Sequence, residues 1–158
     1  MDNSGNGSKE PGFKIGGALT SVAVELLQPD AWNPRLLPAV QSRRLAPDEL
    51  YAYLDDVYDV VSIARSIVRY GYFGSEPLIA VPAAGAYDRA RAPDKVAQVD
   101  PAGPFVVVEG NRRLTAVRGL TNPAIRATLK DSDWDGLPPA GDVEVPLELP
   151  VLLVDHRD

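Results

Sequence analysis

The segment from Phe105 to Val117, Phe-Val-Val-Val-Glu-Gly-Asn-Arg-Arg-Leu-Thr-Ala-Val, constrains the fold more than any other part of the chain. Four apolar residues before Glu109 fit a strand covered on both faces. Gly110 permits a sharp turn, and Asn111 is a good residue to cap a following helix. That helix then opens with Arg112 and Arg113. A helix N-terminus carries partial positive charge and disfavours cations by about 0.3–1 kcal/mol each. Two arginines beside unpaired backbone N–H groups make sense where an anion docks, with phosphate the usual guest. A plainer reading is that Glu109 and a neighbouring acid pair with these arginines on the surface, and local physics leaves the two open.

A chain of 158 residues suits one domain with a sizeable core, and 45% hydrophobic with 24% charged content is ordinary for a globular protein. Sixteen basic against twenty-two acidic residues give a net charge of −6, which opposes unassisted binding to a nucleic-acid backbone. Most of the base is arginine, so a local basic pocket is still compatible with that balance. Cysteine is absent, which excludes disulfides, thiolate metal sites and cysteine nucleophiles. No run approaches the roughly 18–20 apolar residues that span a bilayer, and no apolar signal-peptide core opens the chain. The expected compartment is the cytoplasm, with no membrane partner.

Residues 1–17 form a polar, glycine-rich tail expected to be disordered, and residues 18–158 the folded domain. A first strand is expected from Ser21 to Leu27, followed by a loop at Asp30-Ala31-Trp32-Asn33-Pro34-Arg35. Leu50, Leu54, Val57, Val61, Ala64 and Val68 follow a 4-3-4-3-4 spacing that lays one apolar stripe along a long helix. Asp55-Asp56 is the expected place for a break, and Gly71 the stop. Leu78 to Val81 reads as a strand, 83–103 as a surface excursion, and Arg112 to about Gly119 as a helix. Asn122-Pro123 opens a short helix through Leu129, 131–148 is a loop, and Leu149 to Val154 is the last strand. Trp32 and Trp134 are expected as hydrophobic plugs under loops.

Phosphate loops of the Walker type and dinucleotide glycine fingerprints are missing. His156 is the sole histidine and stands beside Asp155 near the end of the sequence, so a serine–histidine–aspartate triad or a zinc site is a poor fit. Asp30, Glu76, Glu109 and Asp155 each lie at a strand end or in an adjoining loop. Ligands gather where such ends meet, and one of these acids could hold Mg²⁺ or act as a base. Taken singly, each is better explained as capping a turn or neutralising an arginine.

Four elements in one order resemble the ParB/sulfiredoxin superfamily. Glu109-Gly110-Asn111-Arg112-Arg113-Leu114-Thr115-Ala116 resembles its Gly-Glu-Arg-Arg box, and Asn33-Pro34-Arg35 its early Pro-Arg element. Ile63 to Gly71 is similar to its helix ending in Ser-Ile and a glycine, and Glu76-Pro77-Leu78-Ile79-Ala80-Val81 to its Gln-Pro-Ile strand box. The resemblance covers roughly residues 20–155 and implies an α/β (α+β) fold, a small mixed sheet flanked by helices. It also implies a nucleotide pocket for ATP or CTP with Mg²⁺. Gly110, Asn111, Arg112 and Arg113 would line the phosphates, and Arg35 would be a further cofactor-binding residue. Ser66 would face the nucleotide, and Gly71 and Pro77 would border the base or sugar. Asn111 stands where partition proteins carry glutamate and sulfiredoxins their reactive cysteine, so sulfinic acid reduction is ruled out. Glu-Gly-Asn-Arg-Arg also resembles the Asp-Gly-Gln-Gln-Arg box of restriction-type NTPase domains, which makes Glu109 the expected catalytic or metal-orienting acid.

The expected whole is the N-terminal part of a longer DNA-associated or defence protein, an NTPase or nucleotide switch. It would reach DNA only through parts absent from this chain, and a homodimer is compatible with the resemblance. Two other readings are a DNA-binding or nicking ParB-like nuclease domain and a degenerate protein-assembly module.

Overall fold

A computed structural model describes residues 18–83 and 103–154. The tail at 1–17, nearly all of the excursion at 83–103, and Asp155 and His156 lie outside the described residues. The protein is a mixed α/β fold with a five-stranded sheet among the described residues. Its strands are β1 (Ala18–Ala23), β2 (Leu27–Pro29), β3 (Leu78–Pro82), β4 (Phe105–Glu109) and β5 (Glu148–Leu153). Its helices are α1 (Pro38–Arg43), α2 (Pro47–Val57), α3 (Val60–Tyr70), α4 (Asn111–Thr121) and α5 (Pro123–Thr128).

The strand order is β1-β5-β3-β4-β2. β1–β5 and β3–β4 pair antiparallel, and β5–β3 and β4–β2 pair parallel. The single strand expected over Ser21–Leu27 is therefore two strands on opposite edges of the sheet. A 3₁₀ turn at Val24–Leu26 makes the corner, with Val24 buried and its N–H on the Leu147 carbonyl at 2.9 Å. Apolar residues run through the corner, so hydrophobicity alone does not reveal it. This connection also dictates the sheet's shape. Flat, the two edges would stand about 19 Å apart, four steps of roughly 4.8 Å. The four residue steps from Ala23 to Leu27 reach at most about 14 Å, so the sheet is curled.

The main core lies on one face of this sheet. Leu78, Ala80, Phe105, Val107, Leu149 and Val151 meet Val60, Val61, Ala64 and Ile67 of α3 and Leu114, Val117 and Leu120 of α4. Each such fully buried aliphatic or aromatic side chain contributes about 1.5–3 kcal/mol. Val81 and Val106 point to the other face, where Ala83, Val108 and Val154 partly cover them. β4 is thus apolar on both sides, as the four-residue run predicts.

The expected long helix is two helices, broken at Tyr58-Asp59 rather than at Asp55-Asp56. Asp59 caps α3, accepting the Ser62 N–H at 3.1 Å and the Ser62 hydroxyl at 2.6 Å. The apolar stripe splits with it: Leu50 and Leu54 pack on Leu36 in a separate cluster, Val61 and Ala64 face the main core, and Val57 is exposed. Asp55 stays helical because its buried carboxylate has work elsewhere. It accepts the Trp134 indole N–H at 2.6 Å and the Lys130 and Asp131 N–H groups at 2.9 Å each. Trp134 is a buried plug as expected, whereas Trp32 is 39% exposed with the Arg44 guanidinium 5.2 Å from its ring centre.

Two further expectations change at α4. The cap is Gly110, at φ 100°, and Asn111 is already the first helical residue. Gly119 does not end the helix, which runs to Thr121. A Cβ on Gly119 would stand 2.6 Å from the Trp134 ring and 2.8 Å from Leu129, so glycine is what lets the indole rest on the helix. α5 begins as predicted, with the Asn122 side chain accepting the Ile125 N–H at 3.1 Å. Within the expected loop at 131–148, a 3₁₀ turn forms at Ser132–Gly136. Among the described residues, no helix is long and apolar enough to cross a membrane.

Candidate functional site

Where β4 ends, the chain must reverse at once into α4. Gly110 makes that reversal in the left-handed region, and a side chain there would overlap Leu78 Cδ2 and press on the Arg113 guanidinium at 3.1 Å. Leu114 N–H bonds the Gly110 carbonyl at 3.0 Å, closing the first intrahelical ring. The N–H groups of Asn111, Arg112 and Arg113 therefore precede the ladder, and among the described residues no side chain caps this helix start.

This helix start opens on a cavity of about 530 Å³. Arg35, Ser66, Glu109, Gly110, Asn111, Arg112 and Arg113 all line it, brought together from the 30–36 loop, the middle of α3 and the β4–α4 turn. Gly71 and Pro77 are not in the lining; they bracket the segment that contributes Tyr72, Phe73 and Glu76. Gly71 closes α3 at φ 84°, and Pro77 is half-buried immediately before β3.

The arginines are held by backbone acceptors. Arg112 donates to the Asp59 carbonyl at 2.8 Å, at the start of α3, and Arg113 donates to the Glu76 carbonyl. Burial pushes the Tyr72 hydroxyl above its ordinary range, an effect the neighbouring Arg113 guanidinium opposes. At the mouth, Arg35 Nη1 pairs with Glu109 Oε1 at 3.1 Å, the two side chains being 69% and 49% exposed. Glu109 thus pairs with Arg35, not with the helix arginines that the surface-pairing expectation gave it. The charged lining is Arg35, Arg112 and Arg113 against Glu76 and Glu109, three positive and two negative groups.

Asn111 is built into the scaffold. It is buried, its amide donates to the Val107 carbonyl at 2.8 Å, and its oxygen accepts the Asp30 N–H at 3.0 Å. It ties the end of β2 to the β4–α4 junction across 81 residues. The Arg35 loop is strapped as well. Asn33 Oδ1 accepts the Arg35 N–H at 3.0 Å, and the Tyr58 hydroxyl donates to the Arg35 carbonyl at 2.9 Å. Asp30 belongs to the same loop, its carboxylate accepting the Trp32 N–H at 2.9 Å.

Sequence reasoning missed the apolar wall. Leu36, Leu54, Tyr58, Ile63, Ile67, Tyr72 and Phe73 line the cavity together with the arginines. Tyr58 and the Tyr72-Phe73 pair sit beside signals that were legible, the Asp59 cap and the Gly71 stop, but their shared destination is a tertiary fact. Among the described residues no group of three histidines or carboxylates could hold a metal ion by itself.

Fold and site together define a mixed α/β protein with an arginine-lined cavity at an uncapped helix start. Comparison of the chain with protein-family models, curated proteins and solved structures finds no match.

Proposed function

We propose that the protein binds a nucleoside triphosphate such as ATP or CTP and acts as an NTPase or nucleotide switch. The observation that carries this reading is the convergence of the uncapped α4 N-terminus, Arg112, Arg113 and Arg35 on one cavity. Arginines in the first turn oppose the helix dipole, and an anion bound there relieves both them and the three free-ended N–H groups. The cavity volume falls within the roughly 300–1,000 Å³ of small-molecule sites, and its apolar wall suits a nucleoside body behind the phosphates.

Three lining arginines against two carboxylates cannot balance a bare triphosphate. Mg²⁺ commonly uses one or two carboxylates plus phosphate oxygens, so in this reading it arrives with the nucleotide and Glu109 is the acid available to it. The resemblance of Glu109–Ala116 to a nucleotide-binding box points the same way.

Thermal melting with ATP and CTP, each with and without Mg²⁺, tests the proposal. A ligand at 100 times its Kd stabilises by about 2.7 kcal/mol, which raises Tm by roughly 5–10 °C for a domain of this size. The expected result is such a shift with at least one nucleotide, removed by Arg112→Ala and Arg113→Ala. No shift with either nucleotide would overturn it.

A further inference from the structure

We propose that Glu109 is an internal competitor for the ligand's phosphate, holding Arg35 until an incoming anion displaces it; the inference rests on the anion-binding reading above. Arg35 and Glu109 are 74 residues apart in sequence and meet at 3.1 Å beside the cavity mouth. The Arg35 backbone is fixed on both sides, by Asn33 and by Tyr58, while its guanidinium stays exposed. Glu109 in turn ends β4 directly before the turn and helix start that line the cavity. A carboxylate there occupies Arg35 and repels an arriving anion.

An exposed ion pair is weak, so exchange for a phosphate is easily reversible. A multiply charged phosphate can bond Arg35 and the α4 start together. A single carboxylate would merely replace Glu109. The pair therefore favours a pyrophosphate-like group over a monoanion.

A double-mutant cycle read by calorimetry with pyrophosphate in the absence of Mg²⁺ tests this, so that a metal-holding role of Glu109 is not engaged. Glu109→Gln is expected to tighten pyrophosphate binding about two- to fivefold, and Arg35→Ala to weaken it. In the Arg35→Ala background the gain from Glu109→Gln is expected to be clearly smaller, leaving only the relief of direct repulsion between Glu109 and the anion. An equal gain in that background would mean simple loss of negative charge, and weaker binding by Glu109→Gln would mean that Glu109 supports the site; either overturns the competitor. If the unmodified protein binds no pyrophosphate, the anion-binding reading falls and takes this inference with it. Both side chains are exposed, and ligand-free melting of each variant checks that the fold is kept.

Discussion

Asn111 shows how a residue can be legible in type and not in role. Small, polar and placed after a glycine, it reads as a helix cap, yet both ends of its amide are buried in bonds to Val107 and Asp30. The Asp30 partner lies 81 positions away, and nothing local to residues 105–117 announces it. Gly110, by contrast, was legible as the turn glycine, because the sharp strand-to-helix reversal needs a residue without a side chain, though not as the cap it also forms. Its replacement by alanine is expected to cost at least about 1–2 kcal/mol for the left-handed backbone alone. Overlap with Leu78 adds to that, and Arg113 must give way, so urea denaturation and nucleotide binding should both register the change. Arg112→Ala and Arg113→Ala are different in kind. Each removes a charge-assisted hydrogen bond worth about 1.5–3 kcal/mol, so nucleotide affinity is expected to fall roughly 10- to 150-fold. Calorimetry on folded variants decides it, and unchanged affinity would falsify the phosphate role.

At the scale of elements, the strands β3, β4 and β5 and the helix start at Asn122 followed from local patterns: apolar runs, turn residues and a cap. The break between α2 and α3 did not. Asp55 and Asp59 are both acids in a helical stretch, and only the structure tells the cap from the buried anchor. Asp55→Ala is expected to leave one indole and two backbone N–H groups without their acceptor, a loss of about 3 kcal/mol or more at roughly 1–3 kcal/mol per orphaned donor. Chemical denaturation measures it, and a cost below about 1 kcal/mol would mean that water replaces the carboxylate. Asp59 predicts a pH effect instead. Hydrogen bonds from Ser62, then the Arg112 and Arg65 charges, hold its carboxyl below the ordinary 3.8. A depressed folded pKa gives stability that is present above that ordinary value and is lost as pH falls through the lower folded one. Melting of Asp59→Asn below about pH 4 should therefore show a flatter pH dependence than the unmodified protein, since asparagine caps without titrating.

At the scale of the molecule, curling of the sheet was hidden because it depends on a three-residue corner joining opposite edges, whereas the charge balance was plain from composition. That balance makes the last prediction. Net charge is −6, yet the cavity gathers Arg35, Arg112 and Arg113. A ligand small enough to enter the cavity meets those arginines at short range, inside a Debye length of about 8 Å at physiological salt. Duplex DNA is too wide to enter and meets the acidic exterior instead, without the phosphate neutralisation by lysine and arginine from which nonspecific affinity comes. These residues alone are therefore expected to bind a duplex no more tightly than the nonspecific range of about 10⁻⁴–10⁻⁶ M at physiological salt, while still binding pyrophosphate. Fluorescence anisotropy with a labelled duplex, titrated at several salt concentrations, separates the two behaviours. Submicromolar affinity with a steep salt slope would place a phosphate-tracking surface outside the cavity and favour DNA binding or nicking over nucleotide binding. A flat, weak titration beside a clear pyrophosphate signal would leave the cavity as the anion site of these residues.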